Sequence, residues 1–123
     1  MLRIAFCDDE TEILEELESL TEQYCADRGC RMEYQAFHSP LELIAQIEKG
    51  MRFDILFLDV LMPGVNGIET AQEIREYDSA MKIIFLTSSA EYAVESYTVN
   101  AYFYQLKPIW QESFYRLMDS VLR

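Results

Sequence analysis

Three aspartates, a threonine and a lysine each stand directly after an apolar run. Asp8 and Asp9 follow Leu2 to Cys7, Asp59 follows Ile55-Leu56-Phe57-Leu58, Thr87 follows Ile83 to Leu86, and Lys107 follows Ala101 to Leu106. Three carboxylates gathered in one place repel one another and raise at least one pKa unless a cation lies among them. A hard divalent ion suits that need. Mg²⁺ takes oxygen ligands, keeps several waters and is commonly held by one or two carboxylates, so it fits an open Asp cluster better than Zn²⁺ does. A carboxylate beside such an ion can attack a phosphoryl donor and become an aspartyl phosphate, which is the chemistry available to Asp59. Lys107 and the Thr87 hydroxyl are suited to hold the transferred oxygens.

That chemistry requires the five residues to meet, and the pattern of elements supplies the reason they should. Leu2 to Cys7 reads as a strand, and Ile13, Leu14, Leu17, Leu20 and Tyr24 then recur at helical spacing with glutamates on the other face. Met32 to Phe37 alternates as a half-exposed strand, and Ser39-Pro40 with Glu42 opens a helix that stops at Gly50. Ile55 to Leu58 is a strand covered on both faces, followed by a Met-Pro-Gly turn and a helix from Gly67 to Tyr77 capped by Asn66 with Glu69. Ile83 to Leu86 repeats the buried-strand pattern, Ser88 or Ser89 caps a helix reaching Tyr97, and Ala101 to Leu106 is the fifth strand. Trp110, Phe114, Leu117, Met118 and Val121 form the stripe of a final amphipathic helix.

Strand and helix alternating in this way predict a single α/β domain spanning 1–123, a (βα)5 doubly wound parallel sheet with helices on both faces. In such a sheet whatever follows the strands' C-terminal ends lies along one edge, where ligands bind. Asp8, Asp9, Asp59, Thr87 and Lys107 all fall there. Only the second strand, ending Phe37-His38, brings no such group, and His38 reads as a loop residue.

Composition narrows the function classes. The formal net charge of −12 argues against this chain gripping a phosphate backbone, which draws on clustered Lys and Arg. Glutamates such as those between Thr11 and Glu22 also have a plain role as a solvated helix face. No apolar run reaches the roughly 18 to 20 residues that span a bilayer, and no signal-peptide pattern opens the chain, so a cytoplasmic protein without membrane contact is expected. Cys7, Cys25 and Cys30 show neither a CxxC pair nor metal-site spacing and are expected to be reduced packing residues.

Phe6 to Glu10 (FCDDE), Asp59 to Gly67 (DVLMPGVNG), Phe85 to Ser89 (FLTSS) and Leu106 to Pro108 (LKP) occur in order, and with them the chain resembles the receiver domains of two-component response regulators. The resemblance implies a flavodoxin-like, chemotaxis-type fold with strand order 2-1-3-4-5. It implies that Asp9 ligates Mg²⁺, that Asp8 helps through the metal's waters, and that Asp59 is both ligand and phosphoacceptor. The backbone carbonyl of Leu61 is expected to complete the protein's ligands. Lys107 should pair with the phosphoryl group, Pro108 should follow a cis peptide, and Thr87 should move to a phosphoryl oxygen with Tyr104 following it inward. The implied donor is a sensor histidine kinase, with small donors such as acetyl phosphate also serving, and the implied output surface is the fourth helix, fifth strand and fifth helix, a place for homodimer formation. Five tyrosines, Tyr92, Tyr97, Tyr102, Tyr104 and Tyr115, lie in that last third. Glu91 to Pro108 further resembles receivers of LytTR-type transcription regulators, which implies a C-terminal DNA-binding output domain beyond this chain.

Each residue alone has a plainer reading. Asp9 with Glu12 is a helix-capping pattern, Asp59 and Met62-Pro63-Gly64 are ordinary turn residues, Thr87 and Ser88 are caps, and Lys107 is a solvated charge. Their coincidence at one sheet edge favours a site. A haloacid-dehalogenase-type phosphatase would want a second Asp where Leu61 stands. An FMN-binding flavodoxin would cradle phosphate in a first loop that here carries Asp8-Asp9-Glu10. A degenerate receiver acting as a phosphorylation-independent interaction module remains the alternative, although every acidic, hydroxyl and lysine position is filled. Leu61 is apolar where many fast-dephosphorylating receivers are polar, so a persistent aspartyl phosphate is expected.

Overall fold

Strands β1 (Leu2–Cys7), β3 (Ile55–Leu58) and β6 (Lys82–Thr87) are almost wholly apolar because both of their faces are covered. A computed structural model describes all residues 1–123. Successive side chains point to opposite faces of the sheet. Ile4, Phe6, Ile55, Phe57, Ile84 and Leu86 enter one core beneath α1 (Thr11–Arg28) and α4 (Gln111–Val121). Ala5, Cys7, Leu56, Leu58, Ile83 and Phe85 enter the other, beneath α2 (Pro40–Glu48) and α3 (Gly67–Tyr77). β2 (Met32–Phe37) and β7 (Phe103–Leu106) close the two edges and are correspondingly half-exposed.

The five main strands are all parallel and run in the order β2-β1-β3-β6-β7, which is the expected 2-1-3-4-5 once a small hairpin between β3 and α3 is set aside. β4 (Leu61–Met62) and β5 (Val65–Asn66) pair antiparallel across Pro63-Gly64, with Gly64 at φ 71. Proline followed by a residue at positive φ is what a type II turn calls for.

The helix caps follow the local sequence in part. Ser39 Oγ accepts from Leu41 N–H at 3.2 Å and Pro40 opens α2, while Asn66 Oδ1 accepts from Ile68 N–H at 2.7 Å to open α3. The N-cap of α1 is Glu10 and carries no side-chain capping bond, so Asp9 is not occupied as a cap.

Two expectations are corrected. The segment after β6 is not the predicted fourth α-helix but a run of turns and a 3₁₀ helix (Glu95–Val99). Its hydroxyls explain this: Ser89 Oγ accepts from Glu91 N–H at 3.1 Å, Ser96 donates to the Ala93 carbonyl at 2.6 Å and Thr98 to the Glu95 carbonyl at 2.7 Å. Such local bonds compete with the helical ladder, and only Ser96 and Val99 of the 3₁₀ helix are buried, too small a face to hold a longer helix in place. Trp110, placed by periodicity in the last helix's apolar stripe, is 68 % exposed. It precedes α4 in extended backbone (φ −93, ψ 158), outside the helical repeat, and Ile109 takes the buried position instead.

Candidate functional site

The parallel sheet brings the C-terminal ends of β1 and β3 side by side, with Cys7 in register with Leu58. The next residues, Asp8 and Asp59, therefore meet. One carboxylate oxygen from each of Asp8, Asp9 and Asp59 lies within 4.8 Å of the others. Asp8 and Asp59 are buried and Asp9 is exposed, so the cluster opens to solvent on one side. A cavity of about 620 Å³ at this mouth is lined by Asp9, Glu10, Leu61, Glu69 and Tyr92 among others.

Both buried carboxylates are held at each oxygen. Asp59 Oδ1 accepts from Leu61 N–H at 3.1 Å and its Oδ2 from Lys107 Nζ at 3.0 Å. Asp8 Oδ1 accepts from Glu10 N–H at 2.9 Å, and its Oδ2 lies 2.9 Å from Lys107 Nζ. Lys107 reaches both because its own N–H donates to the Thr87 carbonyl at 2.8 Å, locking the end of β7 to the end of β6. The Lys107–Pro108 peptide is cis, as the resemblance implied.

Burial raises the Asp8 pKa, although the Glu10 N–H and Lys107 work against the rise. For Lys107, burial acts to lower the pKa but the hydrogen bonds to Asp8 and Asp59 outweigh it, so the ammonium is held charged. Beneath them the Cys7 thiol is pushed up to about 12, by burial first and then by the Asp8 and Asp59 charges. It stays protonated and is not a metal ligand. The available donors are therefore all oxygens on an anionic cluster, a set that fits Mg²⁺ and not a thiolate- or imidazole-seeking ion.

Two residues absent from the predicted set shape the site. Gly67 opens α3 with its N–H on the Val60 carbonyl at 2.8 Å, and a Cβ there would stand 2.4 Å from the Asp59 carbonyl oxygen and 2.7 Å from Val60 Cα. The helix can approach the strand end only because that residue has no side chain; a glycine directly after a capping Asn was the available signal. Glu10 lies 3.6 Å from Lys107 Nζ on the exposed rim, and its place after Asp8-Asp9 in the acidic first loop was the signal for it.

Thr87 and Tyr104 do not join the carboxylates. Thr87 is fully buried, and its Oγ1 accepts from Ser89 N–H at 3.5 Å. Tyr104 donates its hydroxyl to the Ser89 carbonyl at 2.5 Å, and its pKa is raised, chiefly by burial. The two meet through Ser89, with no hydrogen bond between them. Among the other tyrosines, Tyr97 is 82 % exposed, whereas Tyr115 donates to Asp27 Oδ2 at 2.6 Å and faces α1 and not the expected output surface. His38 sits within 3.3 Å of the Thr11 hydroxyl at the edge of the site, and all three cysteines are free.

The family profile described as Response regulator receiver domain matches residues 4–119. An uncharacterised response regulatory protein of Yersinia pestis is 34 % identical over 110 residues, covering 89 % of this chain and 43 % of the relative. The sensory transduction protein LytT of Oceanobacillus iheyensis is 40 % identical over 70 residues, covering 55 % of this chain and 28 % of the relative. The chain thus spans less than half the length of these curated relatives. Among solved structures, the response regulator TrrA of Thermotoga maritima, in complex with Mg²⁺ and a beryllium fluoride, superposes with a TM-score of 0.80 at 30 % identity, over 98 % of this chain and 99 % of that one.

Proposed function

The chain belongs to the receiver domains of response regulators, and from that premise we propose that it accepts a phosphoryl group on Asp59 from the phosphohistidine of a sensor histidine kinase. The observation that carries this reading is the meeting of Asp8, Asp9 and Asp59 within 4.8 Å, with Lys107 bonded to two of them. A carboxylate oxygen of Asp59 attacks phosphorus, the new P–O bond replaces the donor's P–N bond, and the departing imidazole nitrogen takes a proton. The protein is in this sense a substrate of its own site and not a turnover enzyme.

Asp9 and Asp59 would hold Mg²⁺ directly, with Asp8 acting through its waters and the Leu61 carbonyl completing the set. When bound, the ion supplies charge neutralisation for the transferred oxygens. The chain's own residues do the remaining work. Lys107 is already charged and within 3.0 Å of Asp59, so it can follow the new negative charge outward without a proton transfer. The Leu61 N–H and Lys107 hold the acceptor carboxylate in one orientation beforehand, which lowers the entropy cost of attack.

The signal would leave through Thr87 and Tyr104. A phosphoryl oxygen would accept the Thr87 hydroxyl proton, the turn of Thr87 toward it would draw its Oγ1 from the 3.5 Å contact with Ser89 N–H, and any shift of Ser89 also affects the bond from Tyr104. The surface beside them exposes Val94, Tyr97, Tyr102, Phe103 and Leu106, apolar and aromatic side chains suited to a homodimer contact. The output is then control of transcription by a DNA-binding domain elsewhere in a longer protein, in the manner of LytTR-type regulators. The site is intact enough that a phosphorylation-independent module gains no support from it.

Incubation with Mg²⁺ and acetyl phosphate should give a hydroxylamine-labile adduct that Asp59→Asn abolishes. Phosphate on another residue, or none from either acetyl phosphate or a kinase, overturns the reading. Molecular mass with and without Mg²⁺ and beryllofluoride reports whether the adduct makes dimers.

A further inference from the structure

Arg75, in the last turn of α3, spends its guanidinium on main-chain oxygens. Nε donates to the Val99 carbonyl at 2.8 Å and Nη2 to the Asn100 carbonyl at 3.1 Å, while Nη1 donates to Met81 at 2.6 Å and Asp78 at 3.3 Å. It forms no ion pair with a carboxylate, and it is half-buried. Burial pulls its pKa down, with the Asp78 charge opposing. A side chain so placed satisfies carbonyls that helix ends leave without partners, here at the end of α3 and at the end of the 3₁₀ helix.

The segment it grips is anchored very differently at its other end. Near β6, Ser89 is held by the Tyr104 hydroxyl and by a 3.5 Å bond to Thr87. Between the two ends the backbone is joined by i→i−3 bonds from Ala93 N–H to Ala90 O at 3.2 Å, Tyr97 to Val94 at 3.2 Å and Asn100 to Tyr97 at 3.1 Å, beside longer-span bonds from Ser96 to Tyr92 at 3.0 Å and, at the Asn100 end, from Asn100 and Ala101 to the Ser96 carbonyl. Such stretches are less stable than an α-helix and often mark hinges. One face of the segment is buried and the other is not: Val99 is 3 % exposed and Ser96 5 %, but Val94 is 79 % and Tyr97 82 % exposed. Asn100 itself stands at φ 54, the left-handed conformation that ends the 3₁₀ turn.

We propose that Arg75 is the positioning residue of the switch: by clamping Val99 and Asn100 to α3 and to the start of β6, it makes Asn100 a fixed pivot for the arm Ser88 to Thr98. This rests on the reading of Asp59 as phosphoacceptor. When the bonds at Ser89 change, the arm's Ser89 end rotates, and the clamp keeps the rearrangement out of Val99 to Tyr102 and hence out of the β7 backbone. The exposed Val94 and Tyr97 move while the sheet edge beside them stays still.

Hydrogen exchange read by mass spectrometry, with and without Mg²⁺ and beryllofluoride, tests the pivot. In the wild type the adduct should alter protection severalfold in peptides from 88–98 and leave 99–102 unchanged. Arg75→Met removes every donor and Arg75→Lys keeps the charge and stem without the planar fork. In both, the adduct-dependent change should spread into 99–102, with Arg75→Lys intermediate, while Asp59 takes up phosphate at the wild-type rate. Arg75→Lys keeps the experiment decisive where Arg75→Met does not fold. A purely structural arginine would lower protection equally with and without the adduct, so a change still confined to 88–98 in Arg75→Lys overturns the pivot. An Asp59 without an adduct in the wild type overturns instead the reading of the site on which it rests.

Discussion

Lys107 Nζ lies 3.0 Å from Asp59 Oδ2 and 2.9 Å from Asp8 Oδ2, so one ammonium is shared by two buried carboxylates that follow different strands. Without the metal it is the cation of the site. The two pKa values rise for opposite reasons: burial raises that of Asp8 against the pull of its pairing, whereas for Lys107 burial works downward and the hydrogen bonds to Asp8 and Asp59 outweigh it.

Replacing that cation should cost the metal-free protein more than the metal-bound one. Removing one partner of a buried pair costs roughly 3 to 5 kcal/mol, because the remaining charges are left uncompensated. Lys107→Met is therefore expected to lower the Tm in chelator and to be stabilised more strongly by Mg²⁺ than the wild type. Thermal melts across a Mg²⁺ titration measure this; equal Mg²⁺-induced shifts in the two proteins would contradict it.

Gly67→Ala should damage the site through the backbone. The added carbon would fall 2.4 Å from the Asp59 carbonyl oxygen, so either α3 or the Asp59 loop must move. Overpacking of this kind typically costs about 1 to 3 kcal/mol. Urea denaturation should show the loss, and phosphoryl uptake by the folded variant should be slower. A variant of wild-type stability and rate would show that the approach of α3 is not tight.

Leu61 is 45 % exposed at the mouth of the site, and its N–H donates to Asp59. An aliphatic side chain there cannot orient an attacking water, whereas an amide can. Leu61→Asn is expected to shorten the life of the aspartyl phosphate severalfold while leaving its formation intact. Timing the loss of label after removal of the donor decides the matter, an unchanged lifetime counting against it.

Far from this site, Asp119 accepts from Tyr24 at 2.5 Å and from Arg28 at 3.1 Å on each oxygen, tying α4 to α1. Arg28, then Tyr24, hold its pKa below the usual carboxylate value. A depressed carboxylate stabilises the fold fully above its unfolded pKa, near 3.8 here, and the contribution fades as pH falls through the lower folded value. The Tm gap between wild type and Asp119→Asn should thus be constant near neutrality and shrink below about pH 4. Tyr24 behaves in the opposite sense: burial and Asp119 raise its pKa, so its contribution is complete below pH 10 and declines above it. Melts of Tyr24→Phe against wild type over the alkaline range check that arm.

Much of this protein is legible in its sequence. The continuous apolar runs at Ile55 to Leu58 and Ile83 to Leu86 can be satisfied only by burial on both faces, and that demand, repeated with helical spacing between, already implies a parallel sheet. Once the strands are parallel, Asp8, Asp59, Thr87 and Lys107 must share an edge, so the composition of the site follows from where each run stops. The distances among those groups do not. That Lys107 divides itself between Asp8 and Asp59, and that Gly67 is the point at which α3 can touch the Asp59 backbone, depend on how two elements approach each other.

The fourth crossover shows the same division from the other side. Its serines suggested a cap, and Ser89 does cap the turn, but helical periodicity cannot weigh Ser96 and Thr98 bonding their own backbone against a packed face of only two residues. Arg75 was silent in the sequence because its partners are carbonyls, which every residue possesses. The sequence by itself determined which chemical groups line the sheet edge, since that depends on the order of residues along each strand. Only the tertiary structure decided which of them touch and which segment is free to move, because those follow from long-range packing that no local pattern encodes.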